Sequence, residues 1–127
     1  MGLTVGMVTI DCAEPQQLAE FWTAALGVGV QGDYGDFVFL QRPADGGPVL
    51  GLQRVPEPRS GKNRVHVDLT GGPRATEVPR LVGLGATVVG EHEVPGLRWT
   101  VLADPEGNEF CLLRKRLPAI PSSGALT

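Results

Sequence analysis

The chain has 127 residues, of which 42 % are hydrophobic and 20 % charged, and these values suit one folded domain rather than a disordered chain. Its net charge of −3 and its lack of a dense basic cluster argue against nucleic-acid binding, which needs a positive surface facing the phosphates. The densest basic run is Arg114-Lys115-Arg116, which we interpret as a solubilising edge after the last strand.

Membrane insertion and secretion are also not expected. No apolar stretch approaches the roughly 18 residues of a membrane span, and the first residues lack the charged and apolar regions of a secretion signal. The two cysteines, Cys12 and Cys111, do not form a CxxC pair. We therefore expect a cytoplasmic protein with reduced thiols, and the sequence leaves open a disulfide between the two.

The first half of the sequence predicts a strand, a helix and three further strands. Residues 4–12 alternate loosely between polar and apolar positions, as a strand does. A helix is expected from Glu14-Pro15 to Leu26, because an acid and a proline suit its first turn and Gly27 suits its end. Strands are then predicted at about 28–30, 37–41 and 49–54, with turn-rich segments between them.

The second half repeats this order after residues 55–63, whose prolines and glycine indicate a linker. We predict a helix over 73–84, in which Pro79 would cause a kink or a start near Thr76. The predicted strands are 64–70, 86–90, 98–102 and 109–114. Residues 117–127 are rich in proline, serine and glycine and are predicted to be a flexible tail.

Matching segments of the two halves are separated by 58 to 60 residues, which indicates a duplicated unit. The pairs are Val8-Thr9-Ile10 with Val67-Asp68-Leu69, Leu26-Gly27 with Leu84-Gly85, and residues 50–54 with residues 110–114. One such match would mean little, whereas three near-equal spacings across matched elements are hard to obtain by chance.

Three motifs resemble the vicinal-oxygen-chelate superfamily, which includes glyoxalase I, extradiol dioxygenases and bleomycin-resistance proteins. They are Phe21-Trp22 followed by Leu26-Gly27, the segment 83–89, and the turn Asp104-Pro-Glu-Gly-Asn108 before the last strand. Residues 64–69, Arg-Val-His-Val-Asp-Leu, are similar to an actinobacterial-looking "glyoxalase-like" subgroup of unassigned activity.

The resemblance implies an α+β fold in which two tandem βαβββ modules form a curved mixed sheet that encloses a cavity, with the helices outside. The modules would cover about residues 4–54 and 64–116 of a single domain over 1–116. The resemblance also implies a homodimer.

Metalloenzymes of this superfamily place the ligands of a divalent ion on the opening and closing strands of both modules. The corresponding positions here are Met7, Gly51, His66 and Cys111, of which only His66 is a ligand of the expected His, Gln or Glu type. We therefore predict a metal-free cavity without a cofactor. The alternative is a metal held by His66 and Cys111 and completed by Asp68, which shares a strand face with His66.

Without a metal, His66 and Asp68 are the predicted catalytic pair, because an imidazole titrates near neutrality and a carboxylate can orient it. Each also has a structural interpretation: His66 as a hydrogen-bonded, partly buried histidine, and Asp68 as the partner of Arg64 or Arg98. Cys111 is either a small core residue or a nucleophile activated by His66.

Strand alternation predicts that further side chains face the cavity. The predicted ligand-binding residues are Met7, Thr9, Asp11, Phe37, Phe39, Gly51, Trp99, Val101 and Cys111. The aromatic members favour a flat or apolar ligand and are also typical of an ordinary core. Trp22 is assigned to the core, and the turn at 104–108 is assigned a structural role with Asn108 as its cap.

Three functions fit these residues. The first is a metal-free enzyme that acts on a small organic molecule by lyase, isomerase or cyclisation chemistry. The second is sequestration of an aromatic drug or metabolite without catalysis, as in bleomycin-resistance proteins. The third is a metal-dependent lyase or dioxygenase, which Met7 and Gly51 disfavour. In each case the expected partner is a small molecule, apolar or aromatic, rather than a nucleic acid or a membrane.

Overall fold

The computed structural model describes residues 2–113, in which two helices and eight strands form two four-stranded sheets. Module one consists of β1 (Met7–Cys12), α1 (Pro15–Leu26), β2 (Val30–Asp33), β3 (Phe37–Leu40) and β4 (Val49–Arg54). Module two consists of β5 (Val67–Leu69), α2 (Arg74–Leu84), β6 (Thr87–Val94), β7 (Leu97–Ala103) and β8 (Glu109–Leu113). The basic triplet at 114–116 and the predicted tail lie outside the described residues.

Both sheets have the same topology. The strand order is β1-β4-β3-β2 in module one and β5-β8-β7-β6 in module two. In each module the opening strand is parallel to the closing strand and the other neighbours are antiparallel. The predicted pair of βαβββ modules is confirmed. The eight strands form two four-stranded mixed sheets that are not closed into a barrel.

Several elements differ in length from the sequence-based expectation. β1 begins at Met7 rather than at residue 4, and the strand expected over 64–70 is confined to Val67–Leu69. β6 passes Gly90 and continues to Val94, because a two-residue turn at 95–96 closes a long hairpin with β7. Gly96 in this turn has φ of 84°, a conformation that favours glycine.

Helix α2 begins at Arg74 and contains Pro79 without ending there. Pro79 lacks the N–H that would donate to the carbonyl of Ala75, so the helix loses a bond in its second turn but continues to Leu84. The later start near Thr76 that the sequence allowed is therefore not adopted. No helix in the described part of the chain combines the length and apolar character needed to cross a membrane.

The hydrophobic core lies between the helices and the two sheets, and aromatic rings join the modules within it. Trp22 of α1 is only 1 % exposed, and its ring centroid lies 5.0 Å from that of Phe110 on β8. Phe21 lies 6.0 Å from the same phenyl ring. Such ring pairs contribute about 0.5–1.5 kcal/mol beyond the area they bury. Helix α1 of module one therefore stabilises module two as well.

The turn before β8 is organised by the buried carboxylate of Asp104. It accepts hydrogen bonds from the backbone N–H groups of Glu106 at 2.9 Å and Asn108 at 3.0 Å, and from Nε1 of Trp22 at 3.1 Å. The expectation that Asn108 caps this turn is wrong, because Asp104 does so. Its short carboxylate can reach the N–H groups two and four residues ahead.

Two further side chains of the same turn reach across to module one. The carboxylate of Glu106 accepts hydrogen bonds from the N–H groups of Ala13 and Glu14, at 2.6 and 2.8 Å, just before α1 begins. The side-chain amide of Asn108 donates to the carbonyl of Asp11 at 3.3 Å. The turn therefore ties the two modules together at the point where β1 ends.

We expect Trp22→Phe to lower the free energy of unfolding by about 1–3 kcal/mol at neutral pH, because it removes a buried donor from a carboxylate. Burial raises the pKa of Asp104, and the Trp22 hydrogen bond opposes that rise. Losing the bond raises this pKa further, so the destabilisation is largest above the pKa of the folded state and shrinks as acid protonates Asp104. Urea denaturation in neutral and in mildly acidic buffer measures both values.

The matched control is Phe21→Leu, which removes a neighbouring core ring that bonds to no titratable group. Its cost should be the same in both buffers. A Trp22→Phe cost that is equally independent of pH would contradict the assigned hydrogen bond.

Candidate functional site

The predicted site residues lie on the sheet faces that are turned away from the helices. In β3, Val38 and Leu40 are buried in the core, whereas Phe37 and Phe39 are half-buried on the opposite face. The same alternation leaves Met7, Thr9 and Asp11 of β1 exposed, and it places Trp99 and Val101 of β7 opposite the buried Thr100 and Leu102.

On module one, this face is largely apolar. The space beside Gly51, on the closing strand β4, is filled by neighbouring side chains. A Cβ added to Gly51 would lie 2.9 Å from Sδ of Met7, 3.1 Å from Cζ of Phe37 and 3.2 Å from Oγ1 of Thr9. Tyr34, which the sequence analysis missed, stacks on Phe39 with ring centroids 5.7 Å apart and planes inclined by 20°. This half of the fold therefore offers aromatic and aliphatic surface but few polar groups.

On module two, three chemically active side chains meet. Nδ1 of His66 lies 2.9 Å from Oδ1 of Asp68 and 3.7 Å from Sγ of Cys111. Asp68 and Cys111 are paired in the parallel β5–β8 ladder, and His66 directly precedes β5. From the sequence, the partner of Asp68 could be His66, Arg64 or Arg98. The structure pairs it with His66, while Arg98 bonds to Glu93 at 3.2 Å.

The His66 and Asp68 side chains are accessible, at 46 % and 45 % exposed, whereas Cys111 is only 5 % exposed. Burial raises the pKa of the Cys111 thiol to about 11, with further contributions from the negative charge of Asp68 and a hydrogen bond to it. Burial likewise raises the pKa of Cys12 to about 11, and both cysteines are free. A raised pKa keeps the Cys111 thiol protonated at neutral pH, which disfavours its use as a nucleophile.

A pocket of about 250 Å³ opens on the face of module two. It is lined by Lys62, His66, His92, Trp99, Val101, Glu109 and Cys111. A larger cleft of about 1040 Å³ runs between the modules under the linker and shares Lys62, His66 and Glu109 with the pocket.

The structure divides the predicted ligand-binding set between these spaces. His66, Trp99, Val101 and Cys111 line the pocket, and Thr9 and Asp11 line the cleft. Met7, Phe37, Phe39 and Gly51 line neither and form the separate apolar face of module one. Within residues 2–113, the predicted ligand-binding residues are thus divided between the pocket, the cleft and the apolar face of module one.

Three pocket residues were missed by the sequence analysis: Lys62, His92 and Glu109. His92 lies directly opposite Trp99 in the β6–β7 ladder, with ring centroids 5.6 Å apart and planes inclined by 23°. The duplication carried a signal for it, because Tyr34 lies 58 residues earlier and stacks on Phe39 in the same way. The predicted end of β6 at Gly90 hid this correspondence. Lys62 lies in the linker, where no pattern indicated a role.

The divalent-ion site of the superfamily does not fit these residues. Met7 offers a poor ligand, and the closing position of module one is a glycine whose side-chain space is already occupied. Within residues 2–113, one group of three potential donors was found, His66, Asp68 and Cys111, whose ligand atoms all lie within 4.8 Å of one another. This group belongs to module two alone.

Two βαβββ modules, each with one helix and a four-stranded mixed sheet, define the fold class of the described residues. The sequence matches the family model of the glyoxalase-like domain over residues 7–113, and the chain belongs to this family within the vicinal-oxygen-chelate superfamily. No curated protein matches the sequence.

Solved structures with the same fold share little sequence with this chain. A glyoxalase/bleomycin resistance protein/dioxygenase family enzyme from Burkholderia phytofirmans PsJN has a TM-score of 0.73 at 19% identity, covering 87% of this chain and 98% of its own. A glyoxalase-related enzyme from Fulvimarina pelagi has a TM-score of 0.71 at 17% identity, covering 96% of this chain and 95% of its own. A glyoxalase/bleomycin resistance protein/dioxygenase from Nocardioides has a TM-score of 0.70 at 19% identity, covering 97% of this chain and 90% of its own. These likenesses establish the fold alone.

We expect Cys111 to react slowly with iodoacetamide in the folded protein, because a thiol with a pKa of about 11 is only about one part in ten thousand ionised at pH 7. Asp68→Asn removes the charge that raises this pKa, so alkylation of Cys111 should accelerate by about three- to tenfold. Mass spectrometry of the modified peptides measures both rates.

Glu20→Gln, which removes a negative charge from the exposed face of α1, is the control and should leave the rate unchanged. The Cys12 peptide serves as an internal reference. Wild-type Cys111 reacting as fast as a free cysteine would show that its pKa is not raised.

Proposed function

We propose that the protein binds a small organic molecule in the pocket of module two and acts on it by acid–base chemistry at His66, without a resident metal. The observation that carries this proposal is the 2.9 Å hydrogen bond between His66 and Asp68 at an accessible pocket whose walls include Trp99 and Val101. An oriented imidazole beside an apolar wall is suited to moving a proton on a bound molecule.

The geometry assigns different tasks to the two ring nitrogens of His66. In the neutral ring, the N–H on Nδ1 donates to Asp68, which leaves Nε2 as the proton acceptor. After a proton transfer, the carboxylate of Asp68 stabilises the imidazolium. This arrangement supports proton abstraction and return, the chemistry of an isomerase, a lyase or a cyclisation catalyst.

Sequestration without turnover is the second candidate, and the stacked His92–Trp99 pair favours it. A stacked aromatic wall binds flat apolar molecules whether or not a base stands beside it. Among structural neighbours, one is described as an oxidase, ChaP-H2, and others by names that join glyoxalase with bleomycin resistance protein. These names therefore include both enzymes and resistance proteins, so the choice between catalysis and sequestration rests on the residues of the pocket.

We expect a thermal-shift screen of aromatic metabolites and natural-product antibiotics to find ligands for this pocket. A ligand present at a hundred times its dissociation constant should stabilise the fold by about 2.7 kcal/mol. Trp99→Leu should abolish the shift, whereas Arg98→Gln, at the adjacent position outside the pocket lining, should preserve it. An equal response of both variants would place the ligand elsewhere.

The same ligands separate catalysis from sequestration. NMR should show conversion by the wild type, and His66→Asn should slow conversion by about a hundredfold or more at ligand concentrations that saturate both proteins. Asp68→Asn should slow it less, because the base remains but is no longer oriented. Tight binding by the wild type without any product would support sequestration instead.

The metal-dependent alternative rests on the cluster of His66, Asp68 and Cys111, whose donor types suit zinc. We expect protein purified without chelator to contain less than about a tenth of an equivalent of divalent metal, because Met7 and Gly51 supply no suitable donor at the two superfamily ligand positions of module one. Elemental analysis of the wild type and of Cys111→Ser measures this. A full equivalent that is lost in Cys111→Ser would replace the metal-free proposal.

We also propose that the protein is a cytoplasmic homodimer. The two free, buried thiols are compatible with a reducing compartment. Val88, Val89 and Val94 on the edge strand β6 are exposed, and such an apolar edge is a common contact between subunits. Light scattering of the full chain would give the number of subunits.

A further inference from the structure

We infer that the ligand of this pocket is a hydroxylated aromatic compound of the phenol class, bound with its ring against the Trp99–His92 wall and its hydroxyl directed to Nε2 of His66. The inference rests on the proposed function and specifies the ligand of the same pocket. Three independent features of the pocket support it: its size and wall, the hydrogen-bonding state of His66, and the position of Lys62.

The size and wall of the pocket indicate one planar ring. A volume of about 250 Å³ lies below the roughly 300–1,000 Å³ of sites that enclose a drug-sized molecule. The indole of Trp99 forms the wall together with Val101, and the imidazole of His92 stacks on it with planes inclined by 23°. A stacked pair offers a planar outer ring face, which suits an aromatic ring of the ligand.

The hydrogen bonds of His66 indicate that the aromatic ring of the ligand carries a hydrogen-bond donor. Both contacts of the imidazole with described residues, to Asp68 and to Cys111, are made by Nδ1. Nε2 is left without a partner within residues 2–113, and the side chain is 46 % exposed. In the tautomer set by Asp68, Nε2 is an acceptor, so the complementary group on the ligand is a hydroxyl or another acidic hydrogen.

Lys62 provides the partner for the anion that forms when this hydrogen leaves. It lines the pocket, and its ammonium has no hydrogen bond or ion pair with another residue of the described chain. Its positive charge acts on the same space, since it opposes the raised pKa of Cys111. When the phenolic O–H bond breaks, the proton moves to Nε2 of His66, whose imidazolium is paired with Asp68, and the phenolate oxygen faces Lys62.

Other titratable side chains face the same space and limit which anions can enter. They are Glu109 and Cys111 from β8 and His92 from β6, and Asp68 of β5 acts from beside the pocket through its contact with His66. The carboxylates of Asp68 and Glu109 repel a ligand that arrives as a dianion or carries several acidic groups. A neutral phenol that ionises only after it is bound avoids this repulsion.

p-Nitrophenol and p-nitroanisole test this inference, because they share one ring and differ in the ionisable hydroxyl. In neutral buffer, where free p-nitrophenol is only partly ionised, binding to the wild type should increase the visible absorbance of the phenolate. The affinity for p-nitrophenol should exceed that for p-nitroanisole by about ten- to a hundredfold, the value of a hydrogen bond to a charged group.

The variants assign the effect to individual residues. His66→Asn should abolish the increase of the phenolate band on binding, and Lys62→Met should weaken this increase and lower the affinity for p-nitrophenol but not for p-nitroanisole. Arg42→Met removes the same charge from a loop of module one outside both cavity linings and is the matched control. Trp99→Leu should weaken the binding of both compounds equally.

Three results would overturn the inference, and they differ in what they imply for the proposed function. If both compounds bind equally tightly and both are lost in Trp99→Leu, the pocket binds rings but does not select a phenol. If neither compound binds while other molecules of the thermal-shift screen do, the proposed pocket stands and the phenol class is wrong. If, in addition, no molecule of the screen gives a thermal shift that Trp99→Leu abolishes, both the phenol inference and the proposed function fail.

Discussion

The side chain of Trp22 connects the parts of this protein on which the site depends. Its ring packs against Phe110 of the closing strand of module two, and its Nε1 donates to the buried carboxylate of Asp104. Asp104 in turn holds the backbone of the turn that leads into β8. An indole is suited to this position because it buries a large apolar ring and still carries one donor. One helix residue thereby sets the start of the strand that carries Cys111 and borders the pocket.

The duplication explains why the two modules place their strands alike and why their side chains differ at the site. Equivalent positions of the modules hold Met7 and His66, Thr9 and Asp68, and Gly51 and Cys111. The backbone places each pair alike, because both modules have the same strand order and a register shift at the same point of their second strand. The polar side chains are concentrated in module two, so the chemistry lies in one half while the other supplies α1 for the shared core.

The same comparison accounts for the stacked aromatic pairs. Tyr34 with Phe39 and His92 with Trp99 occupy equivalent places in the two hairpins. The glycines at the register shifts, Gly32 and Gly90, leave room beside these rings, and a Cβ on Gly32 would come within 3.0 Å of Tyr34. Module one thus has a stacked aromatic pair without a neighbouring proton acceptor. Module two has the equivalent pair together with His66 and Lys62.

The sequence by itself determined the doubled βαβββ order, the faces of the strands and the residues that fill the inherited metal positions. These follow from local rules: side chains alternate along a strand, helices end at Gly27 and Gly85, and a repeat of 58 to 60 residues is visible without coordinates. The prediction that His66, Asp68 and Cys111 are neighbours also came from alternation and the superfamily's strand order.

Only the tertiary structure decided how these faces are grouped. Whether the two sheets close around one space depends on the packing of α1 and the 104–108 turn between the modules, and no local pattern encodes that distance. The separation of Phe37 and Phe39 from the pocket, and the entry of Lys62 and His92 into it, follow from this packing. The raised pKa of Cys111 has the same origin, since burial beside Asp68 arises from contacts between strands far apart in the chain.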